Sequence, residues 1–138
     1  MRIRIVALAF WLAAMPHALA LTIYRDHGGN LGEYADRAAQ LGRTGEPVRI
    51  LGICNSACTT LLRLPAHQMC VGPRARFGFH RAYEIDARGR WLRDSASGTA
   101  ALMSFYPPNV KAWLARHGGL TRNLKVMSAA ASRLRRCK

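Results

Sequence analysis

The chain has 138 residues, half of them hydrophobic, with 21 Lys plus Arg against 7 Asp plus Glu and a formal net charge of +14. That length allows one domain at most, and the apolar content excludes a disordered basic tail. A charge this positive makes nucleic acid and anionic surfaces the first partners to weigh, but only Arg133, Arg135, Arg136 and Lys138 form a basic run; scattered charge of this kind fits a solvated face or an anionic envelope surface, not a nucleic-acid groove.

Residues 1–20 read as a secretory signal peptide. Arg2 and Arg4 form a basic n-region, Ile5 to Met15 an apolar stretch, and Ala18 and Ala20 hold the small-residue positions of a cleavage site after Ala20. The apolar run is about eleven residues where a membrane span needs roughly twenty. The expected mature chain, Leu21 to Lys138, is a single periplasmic or secreted domain, and losing two arginines lowers its formal charge from +14 to +12.

Leu21 to Arg25 is a predicted strand, ended by Asp26-His27-Gly28-Gly29-Asn30. Leu31, Tyr34, Ala35, Ala38 and Leu41 recur at helical spacing up to a stop at Gly42, before a turn through Gly45 and Pro47. Val48 to Ile53 is a compact apolar run suited to a buried parallel strand, and Cys54-Asn55-Ser56 is the entry to a short apolar helix over Ala57 to Leu64. Gln68 to Val71 and Arg76 to His80 follow as short strands around Gly72-Pro73. Tyr83 to Asp94 is polar and irregular, as in a hairpin or a lid. Ala96 to Tyr106 and Asn109 to Arg116 are helical, separated by Pro107-Pro108, and after Gly118-Gly119 a last helix is expected from about Thr121 to Arg135. This order predicts an α/β domain with a mainly parallel sheet.

Cys54, Cys58, Cys70 and Cys137 all lie in the expected mature chain, where an even cysteine number reads as disulfides. A short helix and a returning turn between Cys58 and Cys70 make that pair the expected bridge, with Cys54 and Cys137 left free or paired. The spacing is poor for zinc, and no metal or other cofactor is expected.

Ser56 stands where a buried strand turns into a helix, so its hydroxyl gains from the free amides and positive dipole end of the helix N-terminus. The residue type fits a nucleophile as well as an N-cap. His80, closing an alternating apolar strand, suits a general base near neutral pH. In a parallel sheet the carboxyl ends of neighbouring strands converge, so the Gly29 and Ala57 backbone amides are candidate oxyanion donors beside Ser56. His27 beside Gly28-Gly29, and His67 and His117 at chain reversals, have simpler readings as surface residues. Trp91, Phe105, Tyr106 and Trp113 read as core or a subunit contact.

These elements together resemble the Clp-protease and crotonase superfamily, in the arrangement of the Clp protease proteolytic subunit. The matching residues are Gly28-Gly29-Asn30 after the first strand, Gly52 to Ala57 with Ser56 at the serine position, and Arg74 to His80, an interval of 24 residues from Ser56 to His80. Ser56-Ala57-Cys58-Thr59 and Phe77-Gly78-Phe79-His80 are also similar to motifs of a set of small exported bacterial proteins with this core. The resemblance covers Leu21 to about Tyr83. It implies a minimal ββα superhelix and serine-peptidase chemistry on a peptide or protein substrate, in a family whose members assemble into homo-oligomers through helices after the core.

The chain departs from that family where the catalytic acid belongs, because Ser95 to Lys138 contains no Asp or Glu. Asp86, Asp94, the Asn123 amide or a backbone carbonyl are the alternatives for orienting His80, and Lys111 or Lys125 would make a Ser-Lys variant. The competing expectation is a non-catalytic envelope protein that keeps the scaffold and binds anionic partners through its basic face.

Overall fold

The computed structural model describes residues 19–138; all but the last two residues of the expected signal peptide lie outside them. The chain runs β1 (Leu21–Asp26), α1 (Leu31–Thr44), β2 (Val48–Asn55), a 3-10 helix (Ser56–Arg63), β3 (Met69–Val71), β4 (Arg76–Phe79), β5 (Tyr83–Ile85), β6 (Trp91–Asp94), α2 (Ala96–Phe105), α3 (Pro108–Arg116), β7 (Lys125–Ser128) and α4 (Ala129–Ser132). Strands β1, β2, β4 and β7 lie side by side in that order, and β3 pairs with β2 beside β4. β1, β3 and β4 are parallel to β2, and β7 is antiparallel to β4. β5 and β6 form a separate hairpin. The domain is therefore α/β with a mixed, mostly parallel sheet, as the alternation of strand and helix patterns predicts.

Strand alternation assigns the two faces of the sheet. Val48, Ile50, Cys54, Phe77, Phe79 and Met127 turn to one face, where they join Leu41 of α1, Leu61 and Leu62 of the 3-10 helix, Leu102 of α2 and Leu114 of α3 in one core. All the core-forming helices therefore cover a single face.

α1 starts where the Asn30 side chain accepts the Glu33 amide at 3.1 Å and runs past Gly42 to Thr44, because Gly45 at φ 70° supplies the left-handed cap. Pro107 and Pro108 separate α2 from α3 as the sequence predicts, and Gly118 and Gly119, at φ 78° and 69°, end α3.

The expected last helix over Thr121 to Arg135 is not formed. Lys125–Ser128 is instead a strand that closes the open edge of β4, with Phe77 opposite Met127 and Phe79 opposite Lys125. Pairing an exposed strand edge and burying Met127 outweighs the helical propensity of the segment. Only Ala129–Ser132 stays helical, and Arg133 at φ 52° turns the chain back along β3. There the Val71 amide donates to Arg135 O at 2.8 Å and the Cys137 amide to Val71 O at 3.0 Å.

The expected Cys58–Cys70 bridge is also corrected. Cys54 bonds Cys58, and Cys70 bonds Cys137. The sheet decides the pairing: Cys54 and Cys58 are fully buried on the helix-covered side, whereas Cys70 stands opposite Arg49 on the other face, within reach of the returning C-terminus alone. Two disulfides are what an exported chain carries, and among the described residues no helix is long and apolar enough to cross a membrane.

Candidate functional site

Ser56 follows directly on β2 and has φ 55°, one of two non-glycine residues with positive φ in the described chain. This conformation carries strain of order 1–3 kcal/mol and persists where its surroundings enforce it. Three contacts do so here. The Cys54–Cys58 disulfide bridges the residues two before and two after Ser56, with Cα atoms 5.3 Å apart. The Thr59 hydroxyl donates to Ser56 O at 2.6 Å, a bond to the third preceding residue that matches the 3-10 winding. Thr59 is in turn 2.8 Å from the hydroxyl of buried Tyr106, whose phenol is pushed up to about 12 by burial. Asn55 makes no side-chain cap bond, so the first amides of the 3-10 helix are left for another acceptor.

The turn after β1 comes up against this serine. Gly28 has φ +85°, and a Cβ there would stand 2.7 Å from Asn55 O, 2.7 Å from Ser56 Cβ and 2.8 Å from Ala57 N. Asp26 fixes the turn by accepting the Gly28 amide at 2.8 Å and the Tyr34 hydroxyl at 2.6 Å. Burial, and then this bond to Asp26, push the Tyr34 phenol up to about 12. Gly29 and Ala57 consequently line one wall of a cavity of about 670 Å³ together with Ser56. Gly28→Ala is expected to lower any reactivity of Ser56 about a hundredfold, since a displacement near 1 Å in a reacting group is worth that much; probe-labelling rates of the two proteins measure it.

His80 follows the last residue of β4 and lines the same cavity. Its Nδ1 lies 2.7 Å from Arg81 O. A carbonyl only accepts, so Nδ1 carries the proton and Nε2 keeps its lone pair, the tautomer a base requires. The ring stacks on Tyr83, centroids 5.6 Å apart at 26°. The Arg81 amide donates to Thr121 O at 2.8 Å, and the Arg81 guanidinium meets Asp94 at 2.5 Å. Asp94 also meets Arg122 at 3.2 Å, and that guanidinium lies 4.5 Å above the Trp91 ring.

Of the alternatives for orienting His80, the structure therefore supplies a backbone carbonyl. Asp94 is engaged by arginines, and Asp86 accepts Arg90 at 2.7 Å; hydrogen bonds from the Arg90 backbone and side chain hold the Asp86 carboxyl below its usual range. Lys125 Nζ donates to Gly119 O at 2.8 Å and to His117 O. Neither Lys111, Lys125 nor Asn123 lines the cavity. His27 is an exposed turn residue, as is His67. His117 stacks on Trp113 with centroids 4.0 Å apart. Tyr106 and Trp113 are core residues, while Trp91 is half exposed on the hairpin.

The opposite wall comes from Ala82, from Tyr83, Glu84 and Ile85 of the hairpin that the sequence allows there, and from Leu102 of α2 and Leu31 of α1; Glu84 is engaged by Arg93 at 2.8 Å. Leu31 and Leu102 fall on predicted helices, but nothing in their spacing separates a cavity-facing residue from a core one. Ser56 and His80 share this cavity without a direct hydrogen bond between them among the described residues. The described residues assemble no group of three or more His, Cys, Asp or Glu for a metal.

No family model, curated protein or solved structure matches the chain. The site is read from its own geometry: a serine at φ 55°, an imidazole whose Nδ1 lies 2.7 Å from a carbonyl, and Gly29 and Ala57 at one cavity.

Proposed function

We propose that the protein is an exported serine hydrolase, and among hydrolases a peptidase, built on the Clp-protease and crotonase scaffold that its sequence resembles. Ser56 Oγ attacks the substrate carbonyl carbon while His80 Nε2 takes its proton. The oxyanion is met by the Gly29 and Ala57 amides. His80 then passes the proton to the leaving amine, and water releases the acyl group from Ser56 by the same route.

The observation that supports this reading most is the pairing of two features at one cavity: a serine held at φ 55° on a strand-to-helix turn, and a histidine whose Nδ1 proton is engaged by a carbonyl 2.7 Å away. The Nε2–Oγ hydrogen bond closes with substrate, since catalytic hydrogen bonds are often long before binding. Arg81 O fixes the tautomer but carries no full charge to stabilise the imidazolium, so turnover is expected to be slower than in an acid-backed triad, where loss of the acid lowers the rate about 10⁴-fold.

The test is mass-spectrometric mapping of a fluorophosphonate adduct on the oxidised, folded protein. An adduct on Ser56 supports the reading. An adduct elsewhere, or none, overturns it.

A further inference from the structure

The second face of the sheet carries no helix, and its composition is unlike that of a solvated face. One rung across four strands reads Arg25, Ile53, Arg76, Ser128, and a second reads Thr22, Arg49, Cys70. Strands lie about 4.8 Å apart, so Arg25 and Arg76 stand roughly 10 Å apart with Ile53 between them. Leu51 and Ile53 are half-buried and belong to no part of the core. Leu124, whose side chain lies over Gly78, and Val126 are 46% and 49% exposed. The face thus sets apolar positions between arginines.

No acid offsets those arginines. The seven acidic residues lie at Asp26, on α1, in the turn before β2 and on the β5–β6 hairpin, and the four ion pairs of the described chain use Arg81, Arg90, Arg93 and Arg122. The paired acids Glu84, Asp86 and Asp94 all belong to the hairpin, and none of the ion pairs reaches the arginines of the sheet face. Beside β4 a concavity of about 570 Å³, lined by Arg74, Arg76, Val126 and Ser128, brings two guanidinium-bearing residues to one opening, an arrangement suited to an oxyanion.

We propose that this uncovered sheet face docks the protein on an anionic phospholipid bilayer. Single-stranded nucleic acid calls for cations with a series of stacking aromatics; these strands offer one exposed aromatic, Tyr24 on β1, and otherwise aliphatic positions. An acidic protein would bring carboxylates to the same guanidinium groups, and the binding experiment below separates that outcome from lipid. Guanidinium groups at headgroup depth with Leu124 and Val126 entering the acyl boundary is the division of labour expected at a membrane interface.

The experiment is co-sedimentation of the folded, oxidised protein with vesicles of phosphatidylcholine alone and of phosphatidylcholine with phosphatidylglycerol. Binding is expected only to the latter. Each arginine near an anionic surface contributes about fivefold in affinity, so Arg49→Gln with Arg76→Gln is expected to weaken binding roughly 25-fold. Arg37→Gln with Arg116→Gln, the same charge change on the helix layer, is expected to weaken it less than about threefold, because screening confines the attraction to within a Debye length. Leu124→Ser with Val126→Ser is expected to abolish the part of binding that survives high salt. Equal loss in the two arginine pairs, equal binding to both vesicle types, or failure to bind anionic vesicles while an acidic polypeptide is retained would each overturn the proposal. Circular dichroism of each variant separates loss of binding from loss of fold.

Discussion

Hydrolysis is expected to fall about 10⁴-fold in Ser56→Ala and in His80→Ala, and no further when both are replaced. The two residues act as one unit, so either single loss removes the whole nucleophilic pathway and leaves the oxyanion amides. Where an acid backs the histidine, such losses approach 10⁶-fold, and where the acid has already gone only about 10²-fold remains to lose. Arg81 O lies between these limits: it holds the imidazole tautomer at 2.7 Å from Nδ1 without a counter-charge. The measured drop therefore reports how far a carbonyl substitutes for a carboxylate. Both side chains line the cavity and are only partly buried, so melting temperatures should move by no more than a few degrees. Labelling of Ser56 at the wild-type rate in folded His80→Ala would remove histidine from the mechanism.

The parts of this site visible in the sequence are those where chain-local physics dictates the outcome. The Val48 to Ile53 run makes a buried strand wherever it pairs, and Ser56 sits at the junction because Cys54-Asn55-Ser56 follows that run directly. Gly28 is legible as a close approach, since only glycine tolerates φ +85° against the Ser56 turn. The failures share a different cause. Lys125–Ser128 becomes a strand because β4 has an open edge, a fact of tertiary pairing that the Lys-Val-Met-Ser sequence does not encode. The cysteine partners depend on which face of the sheet Cys70 occupies, and separation along the chain says nothing about that. The carbonyl that meets His80 Nδ1 belongs to Arg81; any residue supplies a carbonyl, so composition leaves no trace of which one it is. The absence of any carboxylate side chain after Asp94, by contrast, is read directly from the sequence.

Cys70→Ser with Cys137→Ser is expected to destabilise the domain by about 4 kcal/mol and lower its melting temperature by roughly 10–20 °C. The two cysteines are 67 residues apart in sequence, so the bridge closes a long loop in the unfolded chain, where the loss of conformational freedom is large. In the native state the released tail keeps the hydrogen bonds of Arg135 to the Ala66, His67 and Met69 carbonyls, of Arg136 to Gly72 O and of the two backbone amides beside β3, which restrain it less than the covalent link. The Cys54–Cys58 bridge is separated by 4 residues, and the same chain-entropy argument assigns it about 2 kcal/mol. Reactivity should order the two bridges the other way. Cys70 lies on the sheet face away from the cavity, so the folded fraction of its variant should label at Ser56 as the wild type does. Cys54→Ala with Cys58→Ala removes the brace around a serine held at φ 55° and should label more slowly while melting higher than the Cys70 variant. Thermal melts paired with labelling rates per folded molecule measure both orders, and a Cys54/Cys58 variant that labels at full rate would show that packing of the 3-10 helix alone holds the turn.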